Sequence, residues 1–331
     1  MLNWKVGECV LIYSAKKVVA WVIVLLGAMF VVFMTVDFMP LPIGAVTIGC
    51  FDATPEALQA WRELHGLQYP ILIRYTHYII GVIQGDLGFW SRGHDPTVTP
   101  IITQNLTYTL RLALASLSTS LALALPISAL TATRKSERLD KAIKYITIIG
   151  NSLPIFLLGM LLIAMQRLPI ISGPGNSLIL PSLTLGIGIF CAMLPKVHAS
   201  FAETIEQSYI LAARAKGLST EKVLRKHALR NILVPTMTAI RAHIGALFNG
   251  IIIVEYMFNR PGIGRLLMQG IVGRNYALVL ACVTVFILLY ASISIFMDIA
   301  QAIIDPRIKV MTNTNYSNLK PNRRLTWTEQ V

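Results

Sequence analysis

Long apolar runs constrain this chain more than any other feature of its sequence. A helix needs about 20 apolar residues to cross the hydrocarbon core of a bilayer, and six runs of roughly that length recur along the 331 residues. A chain that is 55% hydrophobic and only 14% charged is too apolar for a soluble domain. We therefore predict an all-α, polytopic membrane protein with six transmembrane helices. The predicted crossings are 18–36, Leu110–Leu130, Ile143–Met165, Leu178–Val197, Val234–Tyr256 and Ala277–Ile304.

The basic residues predict the orientation of these helices. If the N-terminus is cytoplasmic, the inner segments 1–17, 133–144, 196–231 and 305–331 hold 20 of the 29 Lys and Arg residues. Cytoplasmic loops of membrane proteins are enriched in Lys and Arg, so we predict that both termini are cytoplasmic. The net charge of +13 does not indicate nucleic acid, because the basic residues are not gathered on one solvent face.

The order of apolar and polar stretches gives a division of the chain. We predict a cytoplasmic N-terminus (1–17), a retained first transmembrane helix (18–36), an extracytoplasmic segment (37–107), a five-helix core (108–304) and a cytoplasmic tail (305–331). The core includes a long cytoplasmic loop, 200–233.

The extracytoplasmic segment contains a shorter apolar stretch, Ile71–Ile83. Thirteen residues are too few to span a bilayer as a helix, so we predict that the stretch lies along the outer interface or packs on the bundle. Gly85 should end this helix. The whole segment either faces a delivery protein or only covers helix ends.

The cytoplasmic loop predicts two short helices. Alanines favour a helix up to Lys216, Gly217 suits the left-handed residue that ends one, and Ser219 can cap the next. We expect Ala212 and Ala213 to form an exposed patch of small side chains, ringed by basic residues. Such a patch suits docking into a groove on a partner protein, whereas the alternative is a basic loop lying on anionic lipid.

Several motifs resemble those of one protein family. The run Tyr209–Ser219, followed by His227–Asn231 and Pro235, resembles the coupling loop of ABC importer permeases. Over nearly its whole length the chain resembles the first membrane subunit of the dipeptide, oligopeptide and nickel group of binding-protein-dependent ABC importers. The other motifs are Gly85–Gly88, Thr109–Leu112, Asn151–Phe156, Glu255–Arg265 and Asp305–Ile308.

The resemblance implies a type I importer permease in the bacterial cytoplasmic (inner) membrane. Implied partners are a second permease subunit, two cytoplasmic ATPase subunits, an extracytoplasmic solute-binding protein and membrane lipid, with no nucleic acid. The chain lacks the Gly-x-x-x-x-Gly-Lys-Ser/Thr phosphate loop, so we expect a transport subunit rather than an enzyme. It would hold no cofactor itself, and ATP and Mg would bind the ATPases. The coupling residues would be Ala212, Ala213, Arg214, Lys216, Gly217, Leu218, Ser219 and Pro235.

Polar residues within the crossings are candidates for the translocation path, because they are costly to expose to lipid. They are Arg241, His243, Asn249 and Glu255. Arg241 and Glu255 lie 14 residues apart, about 21 Å along a helix, so they cannot pair with each other. Alternatively, Arg241 snorkels to the cytoplasmic interface and Glu255 holds the following loop. No metal site is indicated, since one His is not a site and the four cysteines lie far apart.

These features favour a permease subunit that carries short peptides by alternating access, driven by separate ATPases. A nickel or metal-chelator importer is the nearest alternative. An ion-coupled secondary transporter is more distant, because such proteins often show inverted repeats and none is clear here. A membrane scaffold without transport activity is a further alternative.

Overall fold

The computed structural model describes residues 2–38, 56, 59, 63, 68–88, 98–134, 136–166, 178–217, 219–223, 229–273 and 275–304. Within these ranges the chain forms helices and no strands. The helices are α1 (Leu2–Asp37), α2 (Ile71–Gln84), α3 (Thr99–Arg134), α4 (Glu137–Ser152), α5 (Ile155–Gln166), α6 (Ile179–Ile205), α7 (Ser208–Ala215), α8 (Thr220–Val223), α9 (Leu229–Met257), α10 (Ile263–Val272) and α11 (Tyr276–Ile304).

Five of the described helices are long and apolar enough to cross a membrane. Their candidate spans are Val19–Val36, Thr99–Arg134, Ile179–Ile205, Asn231–Met257 and Ala277–Gln301. The all-α fold is thus confirmed, and five of the six predicted crossings appear as single helices. The third, Ile143–Met165, is formed by two helices, α4 and α5, which together have the length and hydropathy of a span but are bent by 92°.

The bend has a local cause at Leu153-Pro154. A residue before proline is pushed out of the helical region, because the proline ring clashes with its backbone. Leu153 accordingly has φ −84° and ψ 116°, an extended conformation. The chain then restarts as α5, where the Pro154 carbonyl accepts hydrogen bonds from the Leu157 and Leu158 amides at 3.0 and 3.2 Å.

Helix α6 lies at the centre of the bundle and packs most extensively on α3, with α4, α5, α7 and α9 also against it. The close contact with α3 has a sequence signature. Ser116, Ser120, Ala124 and Ser128 recur every four residues of α3 and all four are fully buried. Small side chains at this spacing let two helix backbones approach closely within a membrane.

The helices continue beyond the predicted apolar runs. Residues 99–107, predicted as the end of the extracytoplasmic segment, are part of α3. Helix α6 extends to Ile205 and α9 starts at Leu229, so the connection between these two helices is 206–228, inside the predicted loop 200–233. Hydropathy marks only the apolar part of a helix, and the polar ends stay helical because water can solvate their side chains. The tail 305–331 and its motif Asp305–Ile308 lie outside the described residues.

Helix α2 is the short apolar helix expected in the extracytoplasmic segment. It ends at Gly85, whose φ of +84° is the left-handed conformation that glycine adopts without strain. The helix packs on the bundle rather than standing free, because Tyr75 bonds to α1 and Tyr78 to α11. Of the two predicted positions, packing on the bundle is confirmed.

Candidate functional site

The segment between α6 and α9 forms the predicted pair of short helices. Helix α7 closes with a hydrogen bond from the Lys216 amide to the Ala212 carbonyl, 3.2 Å. Gly217 follows with φ +79°, which confirms the left-handed turn. Ser219 stands directly before α8, and its carbonyl accepts the Val223 amide at 3.0 Å.

The two sides of α7 have different surroundings. Ile210 is fully buried and Ala213 is 7% exposed, and both belong to the main apolar cluster together with Val223 of α8. Residues three apart share a helix face, so Ala213 follows Ile210 inward while Ala212 points outward. The prediction that Ala212 and Ala213 are both exposed is therefore wrong for Ala213.

The exposed side of α7 carries a row of residues that we call the α7 outer row: Tyr209, Ala212, Ala215 and Lys216. Two alanines between a phenol and an ammonium group leave a shallow surface with the positive charge of Lys216 at its edge. That surface lets another backbone approach closely, and the charge can attract an acidic partner.

A hydrogen bond closes the segment onto the bundle. The Asn231 side-chain amide of α9 donates to the Tyr209 hydroxyl of α7. Of the other predicted coupling residues, Pro235 lies inside α9, Leu218 lies outside the described residues, and only the backbone of Arg214 is described. Their coupling roles stay predictions.

The polar residues of α9 do not meet in one site. Arg241 forms an ion pair with Asp298 of α11, and near it the Gln301 amide of α11 donates to the Thr238 hydroxyl of α9 at 3.5 Å. Arg241 therefore does not simply extend its side chain to the membrane interface, because its ion pair links α9 to α11.

His243 and Asn249 face different neighbours. His243 is half-buried beside Ala192 and Lys196 of α6. Asn249 is exposed and borders an apolar cavity of about 330 Å³ between α1, α9 and α11, with Trp21 and Phe286 among its lining residues. Their assignment to a solute path stays a prediction.

Glu255 lies at the end of α9 that precedes α10, and it is fully buried. Thr109 of α3 donates its hydroxyl to Glu255 Oε1 at 2.7 Å. Glu255 Oε2 accepts the backbone amides of Gly264 and Arg265 at 2.8 and 3.3 Å. The carboxylate thus occupies the N-terminus of α10, where free amides and the helix dipole favour negative charge.

Thr109 completes this network, because its hydroxyl oxygen also accepts the Ile263 amide at 2.9 Å. The backbone approaches closely here: a side chain on Gly262 would overlap the Glu255 carboxylate. Burial lowers the pKa of nearby Arg260, which lies outside the spans, while the charge of Glu255 opposes that shift. Of the two readings of Glu255, the geometry favours holding the loop.

Sequence reasoning missed the role of Thr109, which it noted only as part of a motif. Thr109 and Glu255 are 146 residues apart, so no local pattern links them. A threonine at the start of a long apolar run was the one available signal.

Within the described ranges, no group of three or more His, Cys, Asp or Glu side chains is placed to hold a metal ion.

Comparison with known proteins is consistent with this architecture. The family of binding-protein-dependent transport system inner membrane components matches residues 124–310. The glutathione transport system permease protein GsiC of Escherichia coli O6:H1 is 31% identical over 303 residues, which cover 90% of this chain and 98% of GsiC. GsiC of Salmonella typhi gives the same identity and coverage.

Solved structures share the fold. The MetNI methionine ABC transporter, in an inward-facing crystal form, matches with a TM-score of 0.55 at 20% identity, over 62% of this chain and 96% of that chain. A second inward-facing crystal form of MetNI gives a TM-score of 0.50. The chain therefore belongs to the inner membrane components of binding-protein-dependent transport systems, as an ABC importer permease of the oligopeptide and dipeptide type.

Proposed function

We propose that this chain is the permease subunit of an ATP-driven importer that carries short peptides across the bacterial inner membrane by alternating access. Separate ATPase subunits would bind ATP and Mg, a second permease would complete the channel, and an extracytoplasmic binding protein would deliver the solute. Both termini would be cytoplasmic. Movement of the ATPases would be transmitted through the segment between α6 and α9 and would open the bundle outward.

The observation that carries the choice of solute is the similarity to GsiC. That protein is named as a glutathione transport permease, and the similarity covers 98% of its length. Glutathione is a tripeptide, so it falls in the class of short peptides. The match extends through nearly the whole chain and not only through the part common to the wider family.

The α7 outer row supports the proposed energy coupling. It offers a shallow exposed surface on a helix whose other side is fixed in the apolar core by Ile210 and Ala213. The hydrogen bond between Asn231 and Tyr209 links this helix to α9. A force applied to α7 would thus reach a candidate span directly.

Uptake measurements in a strain that lacks this chain test the solute. Labelled glutathione, a labelled dipeptide and labelled nickel are supplied in parallel, with the chain restored on a plasmid as the matched control. We expect glutathione or dipeptide uptake to fall on deletion and to return on restoration, with nickel uptake unchanged. Loss of nickel uptake alone would contradict the peptide proposal and favour the nickel alternative.

The energy source is tested separately in the same cells. Depleting ATP while the proton gradient is maintained should stop uptake. Uptake that persists without ATP and stops with an ionophore would instead favour an ion-coupled secondary transporter.

A further inference from the structure

Helix α2 is fastened to two candidate spans by its aromatic residues. The Tyr75 hydroxyl donates to the Leu26 carbonyl of α1 at 2.6 Å. The Tyr78 hydroxyl forms a second hydrogen bond, also 2.6 Å, with the hydroxyl of Thr284 in α11. The Tyr75 ring also packs edge-on against Phe30 of α1, with ring centroids 5.0 Å apart. These contacts fix where α2 sits along both helices.

The contacts lie well below the ends of the spans. The apolar run of α1 follows Lys17 and ends at Val36, just before Asp37, and Leu26 is ten residues before that end, about 15 Å along the helix. Thr284 is seven residues from Ala277, where the α11 span begins, about 10 Å along that helix. Since the hydrocarbon core is about 30 Å thick, the contact at Thr284 lies within one leaflet, and the contact at Leu26 lies at the inner limit of that leaflet, near the bilayer midplane.

The opposite side of α2 is apolar and uncovered. Leu72, Ile73, Ile80 and Ile83 are 62%, 42%, 51% and 80% exposed, and at 100° per residue they lie within one third of the helix circumference. We call these four residues the outer face of α2. Thr76 lies among them, but its hydroxyl donates to the Ile73 carbonyl at 2.8 Å, so it presents no unpaired donor.

The single Lys, Arg, Asp or Glu residue of α2 is turned away from this face. The guanidinium of Arg74 lies over the Phe33 ring of α1, 5.8 Å from its centroid. His77 stands at the edge of the outer face. The arrangement keeps the permanent charge of the helix on the protein side.

The side chains of the outer face suit lipid better than another helix. Protein contacts between helices in membranes use small residues that allow close approach, whereas this face carries one leucine and three isoleucines. The exposed Ala242 and Ala246 of α9 have the character expected of such a protein contact. Long aliphatic side chains at leaflet depth match acyl chains.

We propose that α2 is embedded in the leaflet at the Asp37 end of α1, with its outer face against lipid acyl chains. In the proposed orientation this is the extracytoplasmic leaflet. The helix does not cross the membrane, because 14 residues reach only about 21 Å. The occupant of the outer face is thus lipid, rather than water, the binding protein or the second permease.

Site-directed spin labelling of the whole transporter in liposomes tests this inference. Native cysteines are replaced, and one cysteine is introduced at Leu72 or at Ile80. Val31, exposed within the α1 span, is the lipid reference, and Gln59, in the extracytoplasmic segment, is the water reference. Each nitroxide is relaxed with oxygen, which dissolves in hydrocarbon, and with chromium oxalate, which stays in water.

Labels at Leu72 and Ile80 should relax faster with oxygen than with chromium oxalate, as at Val31 and opposite to Gln59. Labels that behave like Gln59 would overturn the proposal, because the face would then be in water. Labels that neither agent reaches would also overturn it, because protein would cover the face. If a label at Leu72 or Ile80 lowers uptake, Ile83 is labelled in place of that position. The result does not depend on which solute the transporter carries.

Discussion

At the scale of single residues, Glu255 shows how one buried carboxylate holds several helices together. It belongs to α9, and its carboxylate accepts one hydrogen bond from a hydroxyl of α3 and two from backbone amides of α10. Gly262 leaves the room that the carboxylate needs. Gly217 serves a different purpose, because its backbone turn separates α7 from α8.

Replacing Glu255 with alanine should destabilise the protein strongly. The change leaves the Thr109 hydroxyl, the buried Gly264 amide and the part-buried Arg265 amide without their acceptor, and each unsatisfied buried group costs about 1–3 kcal/mol. We expect a marked fall in the thermal unfolding midpoint of the purified protein. Glu255→Gln keeps one acceptor oxygen, so its unfolding midpoint should fall less than that of the alanine variant. An alanine variant that unfolds at the wild-type temperature would contradict this network.

Gly217→Val should reduce uptake while membrane insertion stays normal. A residue other than glycine costs about 1–2 kcal/mol in the left-handed conformation, and a β-branched residue such as valine is still less favourable there. The matched control is Gly217→Asn, since asparagine tolerates this conformation. A new Cβ would have no atom within 4 Å, so a loss with valine but not asparagine traces to the backbone. Equal uptake by all three proteins would contradict the proposed role of this turn.

At the scale of helices, neighbouring residues of one element have separate functions. Ala212 and Ala213 are adjacent in α7, yet one is exposed and the other lies in the core. Helix α2 likewise turns its tyrosines to α1 and α11 and its aliphatic side chains outward. In both helices, the face determines what a substitution will do.

Ala212→Leu and Ala213→Leu should therefore separate docking from stability. Leucine at Ala212 should lower ATPase association and uptake, with little change in unfolding temperature, because it enlarges an exposed surface. Leucine at Ala213 overpacks the core and should cost about 1–3 kcal/mol of stability. Co-purification with the ATPases and thermal unfolding measure the two effects. Ala212→Leu with full ATPase association would remove the α7 outer row as the docking surface.

Tyr78→Phe and Thr284→Val should each weaken the attachment of α2 by about 1 kcal/mol, the usual net contribution of one hydrogen bond. The double variant should lose little more than either single one, because both changes remove the same bond. Denaturant unfolding of the three variants measures this coupling. Losses that add fully would mean that the two hydroxyls do not interact.

At the scale of the whole molecule, sequence reasoning reached the fold through the lengths of the apolar runs. It did not foresee the bend at Pro154, because Pro195 and Pro235 lie inside helices that continue and local sequence does not distinguish the three. The burial of Ala213 was within reach, since Ile210 three residues earlier marks the inward face. The contact between Glu255 and Thr109 was not, because it depends on how distant helices assemble.

In the proposed transporter, this chain forms part of the solute pathway and separate ATPases supply the energy. The most direct test of this proposal is glutathione uptake into liposomes that hold the permeases and binding protein, measured with and without the ATPase subunits and ATP. We predict uptake only when both ATPases and ATP are supplied. Uptake at the full rate by the membrane subunits alone would contradict the proposal.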